Sequence, residues 1–187
     1  MVSGLDALHA YAIASSRPPA DGARLLSRFR ESLRRSKSGG GPRIFVTGST
    51  PVGDSLYARI EESGATIVAE DHDWGDLMLC RRPTVLPAGT SLDTSLATLR
   101  DALLLSAPAS HTSTQHERAE ATRDAIASSR ATALLSVVRE HDDAPAWDFP
   151  AQAELAGVPS VALLRQGPDI PSAALNDAIH RLTGAVL

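Results

Sequence analysis

The stretch Arg43-Ile44-Phe45-Val46-Thr47-Gly48-Ser49-Thr50-Pro51-Val52-Gly53 sets a short apolar run directly against a glycine-containing turn. Residues 54–63 follow with Leu56, Tyr57 and Ile60 at helical spacing, and Gly64 suits the end of that helix. Ala65-Thr66-Ile67-Val68-Ala69 is then a second apolar run. Strand, turn, helix, strand is the unit from which parallel sheets are wound. The runs at 132–138 and 160–164 repeat the theme, with helices expected over 146–156 and 172–182. Strands that are apolar throughout, rather than alternating, are covered on both faces. The sequence therefore predicts a doubly wound α/β domain with about four parallel strands.

Two segments lie outside that rhythm. Upstream, residues 3–16 and 21–37 read as helices, separated by Pro18-Pro19. Arg28, Arg30, Arg34 and Arg35 gather in the second half of the latter helix. They suit a helix C-terminus, or a surface for an acidic partner. Ser38-Gly39-Gly40-Gly41-Pro42 is a flexible break, which divides the chain into a helical appendage with its linker (1–42) and the α/β domain (43–187). Residues 71–131 form a long insertion after the second strand. Little regular structure is expected over 71–90, and helices over 91–106 and 114–130. Insertions at the carboxyl edge of a sheet often build the site.

The 187 residues are 43% hydrophobic and 21% charged, an ordinary globular mix. A net charge of −4 argues against a nucleic-acid binder. The single cysteine, Cys80, excludes an internal disulfide and any site built from several of the chain's own thiolates. Beside Arg81 and Arg82 it is either a reactive thiol or incidental. No apolar run is long enough to span a membrane and the start lacks a secretory pattern, so a cytoplasmic protein is expected.

Ligands of an open parallel sheet bind beyond the carboxyl ends of its strands. Gly48 to Gly53 follows the first strand, Glu70-Asp71-His72-Asp73-Trp74-Gly75 the second, Arg139-Glu140-His141-Asp142-Asp143 the third, and Arg165-Gln166-Gly167-Pro168-Asp169 the fourth. All four ends are polar. The first turn suits an anion or acyl oxygen held by backbone N–H groups, or a tight turn in which Ser and Thr serve as caps. It lacks the Lys of a P-loop and the middle glycine of a dinucleotide fingerprint. Asp71-His72-Asp73 and His141-Asp142-Asp143 carry metal-ligand types, although carboxylates near helix starts are more often caps; Asp148 reads as nearer a cap than a ligand. No metal is assigned. His111 and His116 read as surface residues, and His9 and His180 receive no role.

Two pieces together carry a family resemblance. One is Arg43 to Ser49, continuing from Glu61-Glu62-Ser63-Gly64-Ala65 to Asp71. The other is Asp142-Asp143-Ala144-Pro145-Ala146-Trp147-Asp148-Phe149-Pro150, continuing from Glu154-Leu155-Ala156-Gly157 to Ser160. In order and spacing they resemble the second domain of the 2-hydroxyacyl-CoA dehydratase and benzoyl-CoA reductase subunits, over roughly residues 43–187 with residues 1–42 as the helical lead-in. The resemblance implies flavodoxin-like domains, two to a subunit, with an iron–sulfur cluster held by Cys between them. It implies paired subunits, an ATP-driven activator, and a CoA thioester reduced to a ketyl radical so that a hydroxyl can leave. The chain departs in spanning one such domain, and in carrying Asp73 and Asp142 where the family has cysteines. Carboxylates are poor ligands for a low-potential cluster.

The expectation is accordingly a dehydratase-like lyase subunit, acting in a complex on an acyl (CoA) thioester, with no cofactor bound by this chain alone. An iron–sulfur cluster enters only with a partner chain, a second dehydratase-like subunit. Gly48, Ser49, Thr50, Pro51 and Trp74 would contact the acyl group through N–H and hydroxyl donors. Asp73, Glu140, His141 and Asp142 would supply acid–base or positioning groups. The alternatives are a non-catalytic structural or regulatory paralogue, and a cluster-free acid–base or metal-assisted enzyme in the same cleft.

Overall fold

The computed structural model describes residues 3–33, 41–72, 86–104 and 113–184. Four strands form one sheet: β1 (Arg43–Gly48), β2 (Thr66–Glu70), β3 (Ala133–Arg139) and β4 (Ser160–Gln166). They lie in the order β2-β1-β3-β4, and every pair is parallel. The chain winds outward from β1 to β2, returns to the centre at β3, and winds outward again to β4. The order reverses between β1 and β3, which makes their carboxyl ends the topological switch point.

Among the described residues the helices are α1 (Gly4–Ser15), α2 (Pro19–Leu33), α3 (Ser55–Glu62), α4 (Leu92–Leu104), α5 (Gln115–Ser129), α6 (Ala144–Ala156) and α7 (Ser172–Gly184). Alternation along each strand sorts them into two layers. Ile44, Val46, Leu135, Val137, Val161 and Leu163 face α3 and α7, where Leu56, Tyr57, Ile60, Leu175, Ile179 and Leu182 complete the larger core. Phe45 and Leu134 face the other way, against Ile126 of α5 and Ala156 of α6. Each large side chain so enclosed contributes about 1.5–3 kcal/mol.

The helix ends follow their sequence signals. Thr114 and Glu117 form a reciprocal capping box at the start of α5. Ser63 and Gly64, with Gly64 at φ +89°, end α3, and Gly157 at φ +65° caps α6. The helix expected over 146–156 begins two residues earlier, where Pro145 occupies the first turn.

The N-terminal helices lie on the domain. Leu5 and Leu8 of α1 pack against the larger core, and the Leu5 amide donates to Glu61 Oε1 at 3.3 Å. Gly4 is needed there, because a Cβ would lie 2.6 Å from Ile67 Cβ. The helix α2 packs on α1. Arg34, Arg35, Cys80, His111 and much of the 71–90 expectation lie outside the described residues.

Candidate functional site

The site begins where β1 leaves the sheet. Gly48 turns at φ +104°, and a Cβ on it would meet the Val137 carbonyl oxygen at 2.4 Å. Only glycine passes that close to β3 with this backbone. The turn carries Ser49 over the end of β3, where its amide donates to Val137 O at 2.7 Å. That amide is therefore not available to a ligand oxygen. Ser49 Oγ accepts from the Arg139 amide at 3.0 Å and donates to Asp142 Oδ2 at 2.6 Å. Ser49 caps no helix: the residue before α3 is Asp54, whose carboxylate is bound instead by His9 Nε2 at 2.7 Å.

The end of β3 supplies the other half. The Asp142 amide donates to Arg139 O at 3.2 Å, closing a four-residue turn whose third member, His141, sits at φ +69°. A histidine in that left-handed region is strained. The Glu140 amide donates to Gln166 O at 2.9 Å, tying the turn to β4. The turn half-buries Asp142 and leaves the Glu140 and His141 side chains exposed on the rim. Thr50 is half-buried beyond Ser49, and Pro51 lines a shallow cleft whose other walls include Ser55, Arg59, Arg139 and Ile170. Asp73 and Trp74 lie outside the described residues. Of the residues singled out in the sequence, the fold thus joins Ser49 to Asp142 and sets Thr50, Glu140 and His141 around them.

Beneath this edge, on the α5–α6 side, lies a polar network that the sequence reading missed. Gln152 Nε2 donates to Thr122 Oγ1 at 3.0 Å and to Thr47 Oγ1 at 3.3 Å. Thr122 Oγ1 in turn donates to Asp71 Oδ2 at 2.8 Å. Burial raises the Asp71 carboxyl above its usual range, against the lowering effect of the Thr47 and Thr122 hydroxyls. Its Oδ1 is buried without a hydrogen-bond partner, as is Ser136 Oγ on β3. The one signal in the sequence was the polar pair Thr47 and Ser136 inside otherwise apolar strands.

Two expectations change here. Asp148 is neither cap nor ligand: it lies inside α6, buried, in a two-pronged ion pair with Arg118 of α5. His72 is 2% exposed and turned inward, its Nε2 at 2.7 Å from Tyr57 Oη and 2.8 Å from Glu70 Oε2. Among the described residues no three of His, Cys, Asp and Glu gather as a metal site. No helix among them is long and apolar enough to cross a membrane.

No curated protein matches the chain. The family profile of the 2-hydroxyglutaryl-CoA dehydratase D-component matches residues 1–160, taking in both N-terminal helices, the insertion, and the strands through the start of β4. The parallel sheet, its reversal between β1 and β3, and this match agree, and the chain belongs to the 2-hydroxyglutaryl-CoA dehydratase D-component family.

Proposed function

We propose that the chain is a dehydratase-like subunit that holds an acyl-CoA thioester at the β1–β3 switch point and manages protons there. The observation that carries this reading is the Ser49–Asp142 hydrogen bond at 2.6 Å. It fixes one carboxylate at the place where sheets of this winding bind their ligands. Ser49 is a positioning residue in this reading, since its amide and hydroxyl are both spent within the fold. Asp142 accepts a proton or a substrate hydroxyl, with His141 and Glu140 within the same turn as further acid–base groups. Thr50 and Pro51 line the acyl side. Asp73 and Trp74 belong to the proposal on sequence grounds alone.

The family's cluster does not fit this chain's donors. Iron–sulfur clusters are held by several thiolates, and the sequence has one cysteine. The Asp142 carboxylate is bound to Ser49 and is a poor cluster ligand in any case. A second dehydratase-like subunit would supply the cluster, in a cytoplasmic complex. The chain's own share is then binding, orientation and proton transfer.

Calorimetric titration with 2-hydroxyglutaryl-CoA, and with free CoA as the control, tests this. Wild-type protein should bind the thioester more tightly than CoA. Asp142→Ala should weaken thioester binding by about tenfold, the scale of a lost charge-assisted hydrogen bond. Asp142→Asn keeps an acceptor for Ser49, so it should retain binding and lose turnover in the assembled complex. No binding by the wild-type chain, or binding indifferent to Asp142→Ala, would overturn the reading. The non-catalytic reading has its own support: both partners of the Ser49 hydroxyl are internal, as in a purely structural knot. Under it, Asp142→Asn leaves the turnover of the complex unchanged.

A further inference from the structure

Among the described residues, the helix α4 is the element least packed against the others. Ser91 caps it, its hydroxyl accepting from the Thr94 amide at 3.2 Å. Yet no described helix or strand packs along it. Leu92, Leu96 and Leu99 recur at alternating steps of four and three, so they form one stripe. They are 73%, 54% and 56% exposed, respectively. A helix of 13 residues is marginal in water without tertiary packing. The stripe therefore marks a face that gains its stability from a cover.

Asp93 and Arg100 are seven residues apart, so they flank the leucines on the same edge. We propose that α4 pairs antiparallel with α4 of a second copy of this chain. In that arrangement Leu96 of each copy lies opposite Leu99 of the other, with Leu92 towards the ends. The same two-fold axis sets Asp93 of each copy against Arg100 of the other, giving two equivalent ion pairs from one surface. A parallel pairing brings these two charges together nowhere. Arg100 holds the neighbouring Asp101 in the single chain, at 2.7 Å on an exposed surface, a contact readily exchanged. With so few large side chains per copy the contact belongs to the small, transient class of interfaces, and self-association depends on concentration.

Sedimentation velocity on the full chain, from low to high micromolar protein, tests the proposal. The wild type should pass from monomer to dimer, and Leu96→Glu should abolish the dimer. Asp93→Arg and Arg100→Asp should each weaken it by roughly tenfold, because each reversal creates two like-charge contacts. The double variant Asp93→Arg/Arg100→Asp restores both pairs and should return to within about threefold of wild type. Circular dichroism of each variant checks that helix content is kept. A monomer at every concentration overturns the proposal. So does a dimer that Leu96→Glu leaves intact, which would lie on another surface. A double variant no stronger than the single reversals also overturns it, and points to a different occupant for the stripe. None of these readouts involves the thioester site, so this inference and the proposed function fail independently.

Discussion

His141 combines three features: a left-handed backbone, an exposed side chain, and a place one residue from the carboxylate that Ser49 holds. Strain kept at such a place is paid for by other contacts. The substitution His141→Gly relieves it and should raise stability by up to about 1 kcal/mol in urea unfolding, while lowering turnover of the complex if the imidazole works there. A loss of stability would show that the histidine is held by packing instead. Asp71 gives a pH-dependent test. Its folded pKa is raised above the ordinary 3.8. The group's contribution to stability is then fully present below that ordinary value and is lost as pH rises through the raised folded one. Asp71→Asn removes this slope, because an amide does not ionise and still accepts from Thr122. Relative to wild type the variant should gain stability steadily from acid to neutral pH, read as the urea midpoint at each pH. Parallel curves for the two proteins would show that Asp71 titrates as an ordinary carboxyl.

At the scale of elements, the clamp between α5 and α6 is the feature most exposed to test. Arg118 and Asp148 have side chains only 15% and 10% exposed, and Arg118 also donates to the Ser113 carbonyl. Removing one partner leaves the other charge buried and uncompensated. Arg118→Ala should therefore cost about 3–5 kcal/mol. The double variant Arg118→Met/Asp148→Leu should recover much of it, since an apolar pair of similar volume needs no desolvation of charge. Chemical denaturation of the three proteins measures both terms, and a cost below about 1 kcal/mol would place the pair with surface salt bridges. The same clamp shows how far elements could be read ahead. The capping box Thr114–Glu117 is a local signal and lies in the sequence. That α5 lies beside α6, so that Arg118 meets Asp148, is a matter of layers.

For the whole molecule, the stretch from Arg43 to Gly53, read with the apolar runs at 65–69, 132–138 and 160–164, predicted a parallel α/β domain. Apolar runs without alternation require cover on both faces, and the helices between them supply it. The polar strand ends likewise marked the edge at which Ser49 and Asp142 meet. Both are local properties of the chain, set by residue type and spacing. The tertiary structure alone decided the rest. The order β2-β1-β3-β4 put the ends of β1 and β3 side by side and so joined Ser49 to Asp142 across 93 positions of sequence. It turned the Ser49 amide onto Val137, buried Asp71 with Thr122 and Gln152, and laid α1 on the larger core. Hydrogen bonds and burial between distant segments depend on which faces meet, and a linear pattern of residues fixes the faces without fixing their neighbours.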